Sequence, residues 1–202
     1  MHRRRNTNRL VWHDYSQPGE YFVTMCTKDR EDSFGEIVGG EMRLNEVGEI
    51  AVKCWKEIPL YFPSIELNEF VVMPNHVHGI IAIVRMMGPA SAMVPGGAIQ
   101  ESPRPEENDP LSRRRMILPK LIGRFKQNSA KQINILRGTS GMPVWQRGYH
   151  DHIIRNSASL ARVRAYIITN PQHWQMDKQN RDRQPEDPTP CNASSSAQKE
   201  VA

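Results

Sequence analysis

The chain has 202 residues, of which 38% are hydrophobic and 24% are charged, and its formal net charge at pH 7 is +5. This length predicts one domain of about 150 residues or more with tails, and the absence of any apolar run near about 18 residues excludes a membrane span. The basic N-terminus lacks the apolar segment of a secretory signal, and the three cysteines are widely spaced and odd in number, which fits a reducing cytoplasm.

Basic residues are more informative by their distribution than by their total. Lys and Arg exceed Asp and Glu by only 27 to 22. They cluster at 3–5, at 113–115 and along 120–131, whereas acidic residues gather at 101–109 and near the C-terminus. Clustered positive charge is the usual electrostatic footprint of a nucleic-acid-binding protein, so nucleic acid is a reasonable partner.

The first half of the chain predicts an arm, a strand, a hairpin and a helix. Residues 1–19 are polar and end in a turn signal, and residues 20–27 alternate aromatic and β-branched side chains as a strand does. Residues 34–44 predict a short hairpin. Asn45 predicts the N-cap of a helix over 46–58, whose apolar residues recur at helical spacing and which Pro59 ends.

Two strands then enclose the turn Met73-Pro74-Asn75. They cover about 68–73 and 76–84 and are rich in β-branched residues. Residues two apart in a strand point to the same face, so His76 and His78 are expected to project side by side, where two imidazoles can chelate a metal. A pair of histidines at this spacing in a strand is, however, more often structural than catalytic.

The next elements are a biased segment and a long helix. Residues 86–112 are rich in Gly, Pro, Ser and Met and predict a mobile loop. An apolar stripe predicts a helix over 117–136 that Gly138 ends. The polar faces of this helix are basic, which is equally consistent with a solvated surface and with one that contacts phosphates.

The last part of the domain predicts a fourth strand and a further helix. The strand leads through 150–154, and Asn156 or Ser157 caps a helix over 158–169. On that helix Tyr166 and Asn170 are four residues apart and therefore neighbours on a face that can look toward the sheet. Taken alone, Tyr166 is most simply interpreted as an aromatic residue at the boundary of the packed face. The domain is expected to span 20–175, with a disordered tail over 176–202.

The order β, α, β, β, α, β followed by a helix predicts an α+β protein of the ferredoxin-like, split βαβ type. Such a fold has an antiparallel sheet with helices on one face, here with an added C-terminal helix that carries Tyr166. The fold by itself specifies no chemistry.

Three separated motifs carry a resemblance to a known family. Residues 74–78 (PNHVH), 145–156 (WQRGYHDHIIRN) and 166–171 (YIITNP) resemble the single-tyrosine HUH transposases, and more closely the REP-associated tyrosine transposases of bacterial genomes. Residues 15–24 also match that family. The similarity runs in order from about residue 3 to about 176.

The resemblance implies that Tyr166 is the nucleophile, that His76 and His78 are metal ligands, and that Asn170 is the third ligand. The implied cofactor is a divalent metal, Mg²⁺ or Mn²⁺, which polarises the scissile phosphate. Attack by Tyr166 on DNA would give a 5′-phosphotyrosine and a free 3′-OH, and would require single-stranded or hairpin DNA. We expect the protein to be cytoplasmic and to be a monomer or a homodimer.

Basic side chains are the expected DNA contacts. The helix residues would track phosphates and the arm would contact a hairpin or its flank. The predicted set is Arg3, Arg4, Arg5, Lys120, Arg124, Lys126 and Arg147.

Rival residues and rival functions remain open from the sequence. His150 and His152 form a second His-x-His, and Tyr149 is a second candidate nucleophile. The rival functions are a hairpin-DNA-binding module without chemistry, an RNA-binding ferredoxin-like module and a metal-dependent phosphohydrolase.

Overall fold

The structure is a computed structural model that describes residues 13–85 and 116–183. The predicted mobile loop at 86–112, Arg3, Arg4 and Arg5 of the predicted arm, and residues 184–202 of the predicted tail lie outside the described residues. No helix within the two described stretches is both long and apolar enough to cross a membrane.

The described chain contains six strands and four α-helices, with two short 3-10 helices. These are β1 (Gly19–Cys26), β2 (Gly35–Val38), β3 (Glu41–Leu44), α1 (Glu46–Lys56), α2 (Ile58–Tyr61), β4 (Ile65–Met73), β5 (His76–Ile83), α3 (Ile117–Arg137), β6 (His150–Ile154) and α4 (Ser157–Thr169), with 3-10 helices at Lys28–Arg30 and Asn170–Met176.

Four strands form one antiparallel sheet in the order β4-β5-β1-β6. Hairpin β2–β3 forms a separate two-stranded sheet. The strand order and the helical connections are those of the ferredoxin-like split βαβ pattern, so the predicted fold is confirmed.

The first face of the sheet is covered by α1 and α3 and holds the main core. Trp55 of α1 packs edge-on against Phe125 of α3, with ring centroids 5.5 Å apart. A Cβ atom at Gly79 of β5 would lie 2.3 Å from the Trp55 ring, so this ring needs a glycine opposite it. Trp145 completes the layer by donating its indole N–H to Ser129 Oγ at 2.9 Å.

The second face is covered by α4. Ile80 of β5, Ile154 of β6 and Ile167 of α4 form a separate buried cluster there. Because side chains alternate along a strand, His76 and His78 share this face with Ile80, whereas Val77 and Gly79 face α1. The alternation of β5 therefore places both histidines beneath the helix that carries Tyr166.

Predicted helix boundaries are confirmed where a side chain or a glycine determines them. Asn45 Oδ1 accepts the Val47 and Gly48 N–H groups at 3.0 Å each, and Asn156 Oδ1 accepts that of Ser159 at 2.8 Å. Gly138 ends α3 with φ 66°. The helix predicted over 46–58 ends at Lys56 instead, because Pro59 suits the first turn of the separate helix α2.

Residues just outside the predicted domain boundaries of 20 and 175 also make packing contacts. Before residue 20, Tyr15 is buried, its carbonyl accepts the Leu118 N–H at 3.2 Å, and Ser16 Oγ accepts that of Ile117 at 3.0 Å. These contacts satisfy N–H groups at the start of α3. After residue 175, the described chain continues to 183 and buries Asp177.

We predict that Gly79→Ala destabilises the protein by about 1–3 kcal/mol, because the new methyl group overpacks against Trp55. The matched control is Gly123→Ala on α3, where a Cβ atom meets nothing within 4 Å. That substitution should stabilise the protein by roughly 0.5–1 kcal/mol through helix propensity. Urea unfolding measures both values, and equal effects of the two substitutions would contradict the packing described for this face.

Candidate active site

His76 and His78 lie side by side in the interior. They are 0% and 3% exposed, and their ring centroids are 4.3 Å apart. The arrangement expected from the strand periodicity is therefore present, and their role as ligands remains a prediction.

Neighbouring groups set the tautomer of His76. The Asn75 amide donates from Nδ2 to Arg30 O at 3.2 Å and to Gln179 O at 3.0 Å, which leaves its Oδ1 to accept from His76 Nδ1–H at 2.9 Å. The lone pair of His76 is then on Nε2, a buried atom with no hydrogen-bond partner among the described residues. Burial, followed by the charge of Arg30, lowers the pKa of His76 to about 3.

His78 connects the strand to the tyrosine. Its Nδ1 lies 2.8 Å from Thr24 Oγ1, and its Nε2 lies 3.2 Å from the Tyr166 hydroxyl. Burial, followed by the proximity of His76, lowers the pKa of His78 well below its usual value. Both imidazoles are therefore neutral at pH 7, which is the form that binds metals.

The phenol of Tyr166 meets the imidazole pair, as its helical position suggested. Its hydroxyl is also 3.2 Å from Asp177 Oδ2, and the residue as a whole is 44% exposed. The ring packs edge-on against Phe22, with centroids 6.1 Å apart. Burial, followed by the charge of Asp177, raises the pKa of Tyr166 to about 12.

Asp177 is the site residue that the sequence reasoning missed. It is 7% exposed, and its Oδ2 accepts from Asn170 Nδ2 at 3.0 Å while its Oδ1 accepts the Gln179 N–H at 2.6 Å. The polar composition of residues 176–202 predicts that Asp177 belongs to the tail. The 3-10 helix Asn170–Met176 turns the chain back over the sheet, and no helical or strand spacing relates Asp177 to the histidines.

These side chains form a donor set that fits a divalent cation. One donor atom each from His76, His78 and Asp177 lies within 4.8 Å of the other two. Asn170 is 2% exposed, and its Oδ1, like His76 Nε2, is buried without a hydrogen-bond partner in the described part of the chain. Buried acceptors without partners are costly, and a bound cation would satisfy both. Among the described residues this is the only such cluster of three His, Cys, Asp or Glu side chains.

The predicted DNA-binding residues are not gathered at this site. Lys126 donates its ammonium to the carbonyls of Gln146, at 3.0 Å, and Gly148, which holds the segment before β6. Lys120 and Arg124 are exposed on α3, across the sheet from Tyr166, and Arg124 lies 3.8 Å from the Tyr61 ring centroid.

The remaining candidates lie in β6 or in the segment before it. Arg147 is exposed before β6. His150 and His152 are also exposed, and they share the sheet face of Ile154, which is the face of the His76–His78 pair. Neither belongs to the cluster of potential ligands found in the described stretches. The rival nucleophile Tyr149 lies in the segment just before β6.

Comparisons with known proteins found relatives among curated sequences, whereas no family model matches the chain. An uncharacterized protein of Haemophilus influenzae is 34% identical over 187 residues, which cover 88% of this chain and 93% of that protein. A candidate REP-associated tyrosine transposase of the same organism is 24% identical over 161 residues, which cover 78% of this chain and 73% of that protein.

Solved structures give two further similarities. One is a REP-associated tyrosine transposase bound to a REP hairpin, with 21% identity and a TM-score of 0.43 over 76% of this chain and 67% of that one. The other is a candidate transposase of Deinococcus radiodurans, with 17% identity and a TM-score of 0.42 over 80% of this chain and 95% of that one.

We predict that Asp177→Asn weakens Mn²⁺ binding at least about tenfold, because it removes the anionic member of the donor set. Mn²⁺ should raise the thermal midpoint of the wild type and shift that of the variant much less. Asp182→Asn, an exposed carboxylate in the same segment, is the matched control and should respond as the wild type does. An equal Mn²⁺ response of the two variants would remove Asp177 from the metal site.

We also predict a pH dependence of stability in metal-free protein. The folded pKa of His76, about 3, is below the unfolded value of about 6.5, so the unfolded chain binds more protons in that window. The free energy of unfolding should therefore fall as pH drops below 6.5, with a slope near 1.4 kcal/mol per pH unit from His76 and a contribution of the same sign from His78. Urea unfolding at several pH values measures the slope.

The matched variants for this slope are His76→Gln and His152→Gln. The first removes a buried imidazole and should flatten the pH dependence, whereas the second removes an exposed imidazole and should leave the slope in place. A slope that persists in His76→Gln would contradict the assignment.

Proposed function

We propose that this chain, which belongs to the family of REP-associated tyrosine transposases, cuts and rejoins single-stranded DNA through a covalent tyrosine intermediate. The observation that carries the proposal is the position of the Tyr166 hydroxyl, 3.2 Å from both His78 Nε2 and Asp177 Oδ2. A phenol that is partly exposed and adjoins a set of metal-binding donors is suited to attack a phosphate held there.

His76, His78 and Asp177 would hold the metal, with the Asn170 amide oxygen as a further donor. A divalent cation bound there supplies charge neutralisation on the scissile phosphate and on the transition state. Two imidazoles favour Mn²⁺ over Mg²⁺, which prefers an all-oxygen set. Thr24 and Asn75 orient the two imidazoles through their Nδ1 atoms, as outer hydrogen-bond partners of metal ligands do.

The chain's own residues account for the fate of the phenol proton. Burial, followed by the charge of Asp177, raises the pKa of the Tyr166 phenol to about 12, so the phenol is protonated at neutral pH. Asp177 Oδ2 is within hydrogen-bond distance and is placed to accept the proton as Tyr166 attacks phosphorus. The Oη–P bond forms and the P–O3′ bond breaks, and the leaving oxygen takes the proton that Asp177 accepted, so that it becomes a free 3′-OH and Asp177 returns to its carboxylate form. Attack by that 3′-OH in the reverse direction rejoins the strand.

We propose a hairpin flanked by single strands as the substrate. Transesterification at a tyrosine requires the backbone to lie in the site, and an unpaired strand can do so. Lys120, Arg124, Arg147 and the arm residues Arg3, Arg4 and Arg5 remain proposed DNA contacts at a distance from the chemistry. Lys126 is held by backbone carbonyls, so its first role is to position the segment before β6.

The decisive experiment incubates the protein with a labelled hairpin oligonucleotide carrying single-stranded flanks, plus Mn²⁺ or Mg²⁺, and resolves the products on a denaturing gel. We expect a covalent protein–DNA adduct that Tyr166→Phe abolishes, because the nucleophilic oxygen is lost. Tyr149→Phe is the matched control and should retain the adduct. Adduct formation by Tyr166→Phe, or cleavage by the wild type without any adduct, would overturn the proposed mechanism.

A further inference from the structure

A polar cleft of about 410 Å³ lies between the edge strand β6 and the first half of α4. Clefts of about 300–1,000 Å³ accommodate ligands of drug size, a range that includes a nucleotide. Its lining includes the side chains of His152, Arg155, Asn156, Ser159 and Arg162. The cleft is separate from the His76–His78–Asp177 cluster, since the two share no residue.

The cleft presents positive charge to solvent. Arg155 and Arg162 are both exposed, and within residues 13–85 and 116–183 neither takes part in a salt bridge. Asp151 also lines the cleft, but it is buried and engaged in contacts of its own. Two exposed guanidinium groups that line a polar cleft are suited to phosphate oxygens, which they bind in a bidentate manner.

Two features connect the cleft to the active site. Arg162 precedes Tyr166 by four residues on α4, so the two side chains are neighbours on one face of the helix, with Cβ atoms about 6 Å apart. On the neighbouring strand of the sheet, Phe22 of β1 is paired in register with His152 of the cleft. The Phe22 ring in turn lies 5.3 Å from the His78 ring and 6.1 Å from the Tyr166 ring.

We propose that this cleft binds the backbone of the DNA strand next to the scissile phosphate, with Arg155 and Arg162 on phosphates and the exposed His152 ring available to a base. The inference rests on the proposed function and adds to it the path by which the strand reaches Tyr166. It places the phosphate contacts nearest to the chemistry on α4 and just after β6. The set predicted from the sequence lies instead on α3, at Arg147 and in the arm.

The sharpest test changes charge within one helical turn. Ser159→Glu places a carboxylate in the cleft, and Ala158→Glu places one beside it on an exposed position that does not line the cleft. Both substitutions add an acidic residue to the first turn of α4, where it favours the helix, so neither should lower the thermal midpoint. We expect Ser159→Glu to weaken binding about tenfold or more and Ala158→Glu to leave it within about twofold.

A second test removes the arginines. Arg155→Gln with Arg162→Gln should reduce the dependence of log K on log salt by about 1.4, since each phosphate contact on a single strand contributes about 0.7. Lys53→Gln with Lys56→Gln removes two exposed charges from α1, across the sheet, and should leave the slope unchanged. An unchanged slope in the arginine variant, or equal binding by the two glutamate variants, would overturn the proposal.

Binding is measured by fluorescence anisotropy of a labelled single-stranded oligonucleotide, in a Tyr166→Phe background with EDTA, so that no chemistry intervenes. If the wild type forms no adduct but the cleft variants lose binding, the proposed function fails and the cleft stands as a DNA site. If the adduct forms and the cleft variants bind as the wild type does, the function stands and the cleft proposal fails.

Discussion

The site depends on the alternation of side chains along β5, a strand buried on both faces. Val77 and Gly79 face α1, where the Trp55 ring occupies the space that a side chain at Gly79 would need. His76 and His78 consequently face α4 and are held at a centroid separation of 4.3 Å by the pleat of the strand. A shift of one residue in register would bury the histidines under Trp55 and remove them from Tyr166.

The electrostatics of the site follow from the burial of its side chains. Burial keeps both imidazoles neutral, so the carboxylate of Asp177 is the one charge carried by the side chains of the donor cluster. Burial and then that charge raise the pKa of the neighbouring phenol, and two buried acceptors, His76 Nε2 and Asn170 Oδ1, have no partner among the described residues. A cation bound by this cluster would offset the negative charge of Asp177 and give a buried acceptor a partner.

Basic residues that cluster along the sequence are not the ones that lie closest to Tyr166 in the structure. The basic residues of α3 stand out as a cluster in the sequence, yet this helix packs through Leu121 and Phe125 on the face opposite to Tyr166. Arg155 and Arg162 are seven residues apart and do not stand out as a cluster, but a strand end and a helix bring them to one cleft. The density of basic residues along the sequence indicates the kind of partner. The packing of the elements decides which face of the protein presents those residues.

Local patterns in the residues determined the strands and helices, the Asn45 and Asn156 caps, and the pairing of His76 with His78, since period-2 and period-3.6 spacing and capping chemistry act over a few residues. The sheet order followed from the order of the elements, and the likeness of three short motifs indicated that Tyr166 belongs with the histidines. Only the tertiary structure decided that Asp177 completes the site and that Lys126 holds a neighbouring segment. Both outcomes depend on chain reversals and long-range packing, for which no local spacing carries a signal.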